Sequence, residues 1–436
     1  MERTYIKTLG KHIGKKVKIQ GWVYVKREHG NIAFLVIRDV SGTAQIVVTK
    51  ESTLLQEVGK LTLESVVEVV GTVKEEKQAP NGIEVSMETL KVLSVAEPEL
   101  PIPVYVKGET DADRDLRLDW RWLDLRKPEK LLIFKVWTTL EHAFREYCVK
   151  NGFIEIHSPK LTITATESGA ELFEVKYFDK KAFLAQSPQL YKQMAMASGF
   201  EKVFEVGPVF RANPSFTSRH DTEFTMYDIE MSFIESHEDL MHTEEEMIAE
   251  IFKQIKEQYG EEIKKVFNQE VIVPTLPFPR ITLKESKTIL EKLGIPNERG
   301  EDLSPEEERA VSKYVKEKYD HDFVFVHKWP SSVRAFYSMK TDEDASLTKT
   351  FDLLYKGLEI TSGAQREHRP DKLKEQIEAQ GLDSASFQSY INFFKYGCPP
   401  HGGFAPGPTR ILMTLLGFNN VREVTYLYRG VNRLTP

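Results

Sequence analysis

Three basic side chains within ten residues give the first indication of chemistry in this sequence. They are Arg211, Arg219 and His220, and they lie in the stretch 210–230. A guanidinium group binds phosphate oxygens through two parallel N–H donors, so a cluster of this kind suits a polyphosphate. A solvated hairpin tip with scattered ion pairs is the alternative that this stretch alone leaves open.

The residues around this cluster predict two antiparallel strands joined by a charged loop. Apolar and polar residues alternate over 202–210 and again over 223–233, as they do in strands with one buried face. Asn213 and Pro214 lie between the two runs and are typical of a turn. The hairpin would therefore hold the basic side chains in its loop.

Two acids and a further arginine extend this chemistry near the end of the chain. Asp352 and Glu359 offer the hard oxygen ligands that Mg²⁺ takes alongside phosphate. A run rich in Gly and Pro, 397–410, then brings Arg410 to the start of an apolar helix. The sequence contains neither GxxxxGK(S/T) nor GxGxxG. It therefore predicts a magnesium–nucleotide site on an antiparallel sheet, where catalysis depends on positioning and charge stabilisation.

Composition narrows the class of protein. A chain of 436 residues suggests two or three domains. No apolar run is long enough for a membrane helix, and the N-terminus lacks the core of a signal peptide. Two cysteines cannot form a disulfide framework, so a cytoplasmic location is expected. The net charge of -7 does not indicate nucleic-acid binding, yet positions 1–50 are locally basic, with ten Lys and Arg against three Asp and Glu.

Residues 1–105 are expected to form a five-stranded OB-fold β-barrel. The strand-like runs are 16–25, 32–38, 43–49, 66–74 and 82–95, with a plausible helix at 50–60. Barrels of this type bind oligonucleotides through aromatic stacking on an exposed sheet face. Phe34 and Gln45 fall on the second and third strands and could face the same way. A core position for Phe34 is the alternative.

Two further segments are predicted from their charge. Residues 106–130 form a hinge or linker, in which Trp120 and Trp122 are expected to pack against other residues. A peripheral helical insertion is expected at about 240–330, with no cluster of chemical interest. The three glutamates at 306–308 are interpreted as the solvated start of a helix, where the helix dipole favours negative charge.

An ordered set of motifs resembles those of the class II aminoacyl-tRNA synthetases. The three general motifs are FIEIHSP, the stretch 210–230 and GGFAPGPTR. WRWLDLRKPE, TATESGAELF, FLAQSPQLYKQ, ITSGAQREHR and PPHGGF are similar to the aspartyl-tRNA synthetases of the compact archaeal and eukaryotic type. The resemblance covers nearly the whole chain. It implies an α+β fold, with an anticodon-binding barrel at 1–105 and a catalytic domain at 131–436 whose mainly antiparallel sheet is flanked by helices.

The resemblance also implies the residues of an ATP site. Arg211 would hold the α-phosphate, while Arg219 and His220 would reach the outer phosphates. Phe224 and Arg410 would lie on opposite faces of adenine, and Arg211 and Arg410 would be the catalytic residues. The full ATP-binding set is Arg211, Asn213, Arg219, His220, Phe224, Glu359, Gly407 and Arg410. The Mg²⁺ ligands would be Asp352, Glu359 and Ser362.

An aspartate pocket follows from the same resemblance. Lys192 and Arg366 would bind the side-chain carboxylate, and acids or amide oxygens would bind the ammonium group. The implied set is Glu167, Gln189, Lys192, Asp228, Ser362 and Arg366. The related asparaginyl enzymes lack a lysine at the position of Lys192, because an amide needs no such partner.

Four residues of the barrel would read the anticodon, and motif 1 would form a homodimer. Phe34 and Gln45 would contact the central base, while Tyr24 and His29, with the loop 78–82, are candidates for the third base. The dimer interface would lie near Pro159 in FIEIHSP.

The sequence departs from the family pattern in two places. Asn213 stands where a Glu is common, two positions after Arg211, and prolines surround Gly407 in the third motif. Both changes leave the shape of the adenine pocket open. Arg410 is kept, so an active enzyme is expected.

The resemblance implies an aspartate–tRNA ligase. The L-aspartate carboxylate would attack the α-phosphate of ATP to give aspartyl-adenylate, and the aspartyl group would pass to the 3′ end of tRNA-Asp. Charging of tRNA-Asn as well is left open, because the two tRNAs differ at the third anticodon base. One alternative is an asparaginyl-tRNA synthetase, which Lys192 opposes. The other is a catalytically idle RNA-binding paralogue, which Arg211 and Arg410 oppose.

Overall fold

The computed structural model describes two compact units. They comprise residues 1–131 together with Pro436, and residues 132–435. The described ranges are 1–29, 32–49, 54–105, 111–163, 171–214 and 217–436. The first unit has a core of its own inside a barrel, and the second has several clusters around a large sheet.

Five strands of the first unit close into a barrel, as predicted for an OB-fold. They are β1 Lys16–His29, β2 Ile32–Asp39, β3 Gly42–Thr49, β4 Val66–Glu75 and β5 Ile83–Ser94. Their order around the barrel is β1-β2-β3-β5-β4. The helix α1 Leu54–Lys60 lies between β3 and β4. Alternate side chains such as Leu35, Ile37 and Ile46 fill the interior, so the period of two in the sequence matches one buried face.

Two short helices occupy the region that was predicted as a linker. They are α2 Arg114–Asp119 and α3 Arg121–Asp124. Asp124 is buried and binds Arg121 Nη1 at 2.6 Å and Lys127 Nζ at 2.9 Å. Trp120 and Trp122 are 36% and 51% exposed, with ring centroids 5.2 Å apart. The two tryptophans thus pack against each other, and the buried contacts of the segment combine the ion pairs of Asp124 with an apolar cluster around Leu123.

A mixed, mostly antiparallel sheet forms the centre of the second unit, as expected. Its strands in chain order, with those of a small second sheet, are β6 Ile154–Glu155, β7 Leu161–Thr162, β8 Glu174–Tyr177, β9 Lys180–Leu184, β10 Lys202–Phe210, β11 Glu223–Ser232, β12 Arg280–Thr282, β13 Phe323–His327, β14 Thr350–Tyr355, β15 Leu358–Gln365 and β16 His401–Pro406. The central order is β12-β13-β14-β15-β16-β11-β10-β6, and β7-β9-β8 form the second sheet. Only β6 with β10 and β12 with β13 pair in parallel among the described strands of the central sheet.

Helices flank this sheet, and their starts follow local sequence signals. They are α4 Pro128–Lys150, α5 Gln189–Ala197, α6 His237–Phe267, α7 Leu283–Lys292, α8 Pro305–Tyr319, α9 Pro370–Ala379, α10 Gln388–Phe393 and α11 Pro408–Leu415. Ser236, Thr282 and Ser304 each cap a helix through a capping box, as their spacing to an acid three residues later predicts. Among the helices of the described ranges, none combines the length and apolar character that a bilayer crossing needs.

The segment 240–330 is not peripheral, contrary to the sequence-based expectation. One face of α6, including Leu240, Ile248 and Ile255, is fully buried, and the helix packs on β14, β15 and β16. Strand β13 is an internal strand of the central sheet. The charged residues that suggested an outer layer occupy only the exposed face of α6 and parts of α7 and α8.

The three glutamates at 306–308 are likewise not all solvated. Glu307 is fully buried, where it completes the cap at Ser304 and pairs with Lys287 Nζ at 2.7 Å. Glu308 is also buried and reaches Arg219 on the β10–β11 loop. The start of α8 therefore contributes the Glu308 side chain to the cationic loop, which is the β10–β11 loop that carries Arg211, Arg219 and His220.

Gly363 provides a test of packing in the central sheet. It lies opposite Phe351 on β14, and an added Cβ would sit 2.2 Å from the ring atom Cζ. We expect Gly363→Ala to lower stability by about 1–3 kcal/mol, because the ring must leave its position. Thermal unfolding monitored by circular dichroism measures the effect.

The matched control is Gly260→Ala in α6. Its Cβ would lie 3.4 Å from the nearest atom, Lys256 Cγ, so the helix gains stability of up to about 1 kcal/mol. Equal transition midpoints for the two variants would contradict the packing argument.

Candidate active site

The predicted hairpin is present and its loop is held at both ends. Strands β10 and β11 pair antiparallel, with Phe210 opposite Glu223. The Arg211 amide donates to Thr222 O at 2.9 Å, and the Thr222 amide donates to Arg429 O at 3.0 Å. A segment near the C-terminus therefore fixes the base of the loop.

The structure brings the eight predicted ATP-binding residues together around one cavity of about 210 Å³. They are Arg211, Asn213, Arg219, His220, Phe224, Glu359, Gly407 and Arg410. The guanidinium carbon of Arg211 lies 5.4 Å from the ring centroid of Phe224. Arg410, in the first turn of α11, donates to Glu359 O at 2.9 Å. A flat ring and two guanidinium groups thus line a space in which a base and phosphates can bind.

The other two basic side chains of the loop differ in charge. Arg219 Nη1 lies 3.0 Å from Glu308 Oε2, and burial raises the pKa of Glu308 to about 7 against the opposing effect of Arg219. Burial, with Arg410 and Arg219 nearby, lowers the pKa of His220 to about 4. His220 is therefore a neutral imidazole at neutral pH and offers hydrogen bonds rather than charge.

A second cavity, of about 340 Å³, adjoins the first. It is lined by the described members of the predicted aspartate-binding set, namely Gln189, Lys192, Asp228, Ser362 and Arg366. Glu167 lies outside the described residues. Arg211 and Glu359 line both cavities, so they mark the place where the contents of the two would meet.

A buried ionic network forms one wall of the second cavity. Lys192 Nζ lies 3.0 Å from Asp228 Oδ1 and 3.3 Å from Glu230 Oε2, with Lys192 only 2% exposed. Arg366 Nε lies 3.0 Å from Glu230 Oε1, and Arg366 Nη2 donates to Gly403 O at 3.0 Å. Burial opposes ionisation of Glu230, but Arg366 and Lys192 outweigh it and lower its pKa. Glu230 thus stays ionised although it is fully buried between two basic side chains.

Sequence reasoning did not assign a role to Glu230. The available signal was its position two residues after Asp228 in the same strand, because residues i and i+2 share a face. Its central place in the network depends on contacts with α5 and β16, which no local pattern reveals.

The predicted magnesium ligands contact an arginine that sequence reasoning missed. Asp352 lies opposite Ser362 in the β14–β15 pair and is buried. Arg334 donates to both carboxylate oxygens of Asp352, one at 3.0 Å, and to Ser362 Oγ at 3.3 Å. Burial raises the pKa of Asp352 to about 6, while Arg334 opposes the rise. The hard oxygen donors suit Mg²⁺, and Arg334 stands beside them as a positive partner.

The barrel places Phe34 and Gln45 on one outward face. Phe34 pairs with Val47 and Gln45 with Val36, so the two side chains are diagonal neighbours on adjacent strands. Phe34 is half-buried, while the flanking residues on β2 point into the core, so a core position for Phe34 is ruled out. Gln45 Nε2 donates to Glu84 Oε2 at 3.2 Å.

Of the candidates for the third anticodon base, the structure describes the side chain of Tyr24 and the backbone of the loop 78–82. Tyr24 lies at a bulge of β1 and packs edge-on against Tyr105, with the Arg38 guanidinium 4.8 Å from its ring centroid. The side chain of His29 lies outside the described residues. In the loop 78–82, Asn81 has φ 63°, a left-handed conformation that asparagine tolerates.

Comparisons with known proteins agree with this geometry. Residues 113–429 match the family described as tRNA synthetases class II (D, K and N), and residues 17–93 match the OB-fold nucleic acid binding domain. An aspartate–tRNA(Asp/Asn) ligase of Methanopyrus kandleri is 46% identical over 426 residues, covering 97% of this chain and 96% of that protein. An aspartate–tRNA(Asp) ligase of Pyrococcus abyssi is 44% identical over 426 residues, covering 97% of both.

A solved structure shares the whole architecture. The asparaginyl-tRNA synthetase from Pyrococcus horikoshii, complexed with asparaginyl-adenylate, matches with a TM-score of 0.92 and 36% identity over all of both chains.

His401 provides a pH test of the buried wall. Its Nδ1–H donates to Pro399 O at 2.9 Å, and Nε2 lies 3.0 Å from Gln193 Nε2, so the ring is neutral. Burial lowers its pKa from 6.5 to about 4. The unfolded chain therefore binds a proton first, so the stability contributed by neutral His401 is present above about pH 6.5 and is lost towards about pH 4. This difference corresponds to roughly 3 kcal/mol.

We expect His401→Gln to weaken the dependence of the unfolding midpoint on pH between about 6.5 and 4. Chemical denaturation at a series of pH values measures this. The control is His157→Gln, because His157 is exposed on the surface. An unchanged pH dependence in His401→Gln would contradict the assignment.

Proposed function

We propose residue roles for this chain on the premise that it belongs to the class II tRNA synthetases of the D, K and N group. Within that family it is an aspartate–tRNA ligase, which uses ATP to activate the amino acid. The position of Arg211 in the walls of both cavities is the observation that carries the proposal.

Activation joins the contents of the two cavities. An α-carboxylate oxygen of aspartate attacks the α-phosphorus of ATP, and the bond from that phosphorus to pyrophosphate breaks. Arg211 holds the α-phosphate at the junction and stabilises the charge that develops there. Phe224 and Arg410 bind the two faces of adenine, and Asn213 and Gly407 complete the base end of the cavity. Catalysis then consists of positioning and electrostatic stabilisation, since no side chain needs to form a covalent bond.

Selection of aspartate depends on the buried ionic wall. Lys192 and Arg366 bind the side-chain carboxylate of the substrate, while Asp228 and Gln189 bind its ammonium group. Glu230 fixes both cations before the substrate arrives, so little reorganisation is needed on binding. An asparagine amide is neutral, so Lys192 would lack the negative partner that the aspartate carboxylate provides. This loss is unfavourable in a buried site.

The outer phosphates of ATP would be bound by Arg219 and His220. Arg219 would exchange Glu308 for phosphate oxygens, and neutral His220 would donate a hydrogen bond. Asp352, Glu359 and Ser362 would hold Mg²⁺, which neutralises phosphate charge when bound. Loss of ATP–pyrophosphate exchange on removal of Mg²⁺ tests this part of the proposal, and full activity without a divalent ion would refute it.

The barrel would bind the anticodon through its outward face. Phe34 offers a ring for base stacking, and Gln45 offers an amide for a base edge. The substrate tRNA is tRNA-Asp, and we propose tRNA-Asn as a second substrate. Support comes from the similarity to the M. kandleri ligase, whose name gives both tRNAs.

We also propose that the chain forms a homodimer through motif 1, and exposed apolar residues support this proposal. Strand β6 forms an edge of the central sheet. On either side of Pro159, Ile154 is 49% exposed and Ile163 is 81% exposed, so apolar side chains there are accessible to a second copy of the chain. Sedimentation of the purified chain as a monomer would refute it. The cytoplasmic location expected from the sequence likewise stays a prediction.

Lys192→Met tests the amino-acid pocket. We expect kcat/KM for aspartate in ATP–pyrophosphate exchange to fall on the order of 10²–10³-fold, because a buried charge partner of the substrate is lost. The wild-type chain should show exchange with aspartate and none with asparagine. The control is Lys395→Met, since Lys395 is exposed. Unchanged aspartate kinetics in a folded Lys192→Met variant would remove Lys192 from the pocket.

Aminoacylation of purified tRNAs tests the substrate range. We expect aspartate to be attached to both tRNA-Asp and tRNA-Asn. Phe34→Ala should raise KM for both tRNAs, because stacking contributes about 1–3 kcal/mol per base. The same variant should leave ATP–pyrophosphate exchange unchanged. If no aspartyl-tRNA-Asn forms, tRNA-Asn is excluded as a substrate while the ligase activity on tRNA-Asp stands.

A further inference from the structure

A group of three potential metal ligands lies apart from the two cavities. His237 and Glu238 are the first two residues of α6, and His327 is the last residue of β13. Within the described part of the chain, theirs is the one group of three His, Cys, Asp or Glu side chains whose ligand atoms are close enough to share an ion. None of them lines the cavities of the active site.

The distances among the three ligand atoms fit a transition metal. His237 Nε2 lies 3.1 Å from His327 Nδ1, and Glu238 Oε1 lies 3.9 Å from each of these nitrogens. The point equidistant from all three atoms is therefore about 2.1 Å from each, as required for Zn²⁺ bound by imidazole nitrogen and carboxylate oxygen.

We propose that His237, Glu238 and His327 form a binding site for a transition-metal ion of the Zn²⁺ type. Two imidazoles and one carboxylate are borderline ligands that favour Zn²⁺, Co²⁺ or Ni²⁺ over Mg²⁺, which takes oxygen ligands. The ion completes its coordination with water, since Glu238 is 45% exposed on its side chain and opens the site to solvent.

The surroundings orient the carboxylate towards the imidazoles. Arg280 on β12 binds Glu238 Oε2, which leaves Oε1 directed at the two histidines. Arg280 Nη2 also binds Glu245 Oε1 at 3.2 Å, so its own position is fixed. Hydrogen bonds of this kind to a ligating carboxylate are typical of metal sites.

Metal binding would connect two distant parts of the sequence. The start of α6 and the end of β13 are ninety residues apart, from His237 to His327. An ion bound only by the folded chain stabilises the fold by mass action. The site would thus fasten the start of α6 to the end of β13 in the central sheet, without taking part in aspartate activation.

The test uses the full chain, from which bound metal is removed with a chelator. The chelator is then removed, and the measurement is made in excess Mg²⁺ and without nucleotide. Mg²⁺ occupies oxygen sites but does not compete for imidazoles. We expect one equivalent of Co²⁺ to give a visible absorption spectrum that Zn²⁺ displaces, and Zn²⁺ to raise the thermal midpoint. In His327→Gln the Co²⁺ affinity should fall by more than about 10²-fold.

Two further variants make the outcome decisive. Glu238→Gln changes a partly exposed ligand, so it should fold and still lose affinity. His242→Gln is the matched control, because His242 is an exposed histidine on α6 beside Glu245 and Glu246. Absence of a Co²⁺ spectrum in the wild type would overturn the site and leave a hydrogen-bonded pair of imidazoles. The site would also be overturned if His327→Gln bound Co²⁺ with the same affinity as the wild type while it kept the wild-type circular dichroism spectrum and pyrophosphate exchange.

Discussion

The burial of Glu230 between two cations is the constraint on which the catalytic unit depends. Lys192 and Arg366 could not both be held away from water without an anion that each of them contacts. The backbone must also come close to Glu230, since a Cβ at Gly403 would lie 2.2 Å from Oε2. A side chain at Gly403 would also meet Ile229 O at 2.0 Å, so the neighbouring strand and the Glu230 carboxylate together leave room only for glycine there. Helix α5, strand β11 and strand β16 meet at this one carboxylate, and that junction sets the shape of the amino-acid cavity.

The overall fold closely resembles that of an asparaginyl enzyme, and this is physically reasonable. In the roles proposed above, the sheet, the cationic loop and the barrel would serve the adenylate and the tRNA, which both enzymes require. Discrimination between a carboxylate and an amide needs only a local change of charge. The similarity of the whole chain to aspartate–tRNA ligases, together with the buried Lys192, places this protein with the aspartate enzymes.

Features encoded in neighbouring residues could be predicted from the sequence. The three capping boxes, the hairpin and the alternation in the barrel are of this kind. Many of the residues that line the two cavities could also be named in advance, because their motifs are local. The roles of Glu308 and Arg334, and the burial of α6, could not be predicted. Each depends on contacts between segments far apart in the chain, and a charged helix gives no local sign of which neighbour will cover it.

If Arg211 has the role proposed for it, its position in the walls of both cavities couples the binding of their two ligands. One guanidinium group cannot adjust to a ligand on one side without changing what it presents to the other. Any preference that bound ATP creates for aspartate must be matched by an equal preference that aspartate creates for ATP, because linkage is reciprocal. The proposed role of Arg211 thus implies cooperative binding of the two substrates through side chains that line both cavities, and it requires no movement of domains.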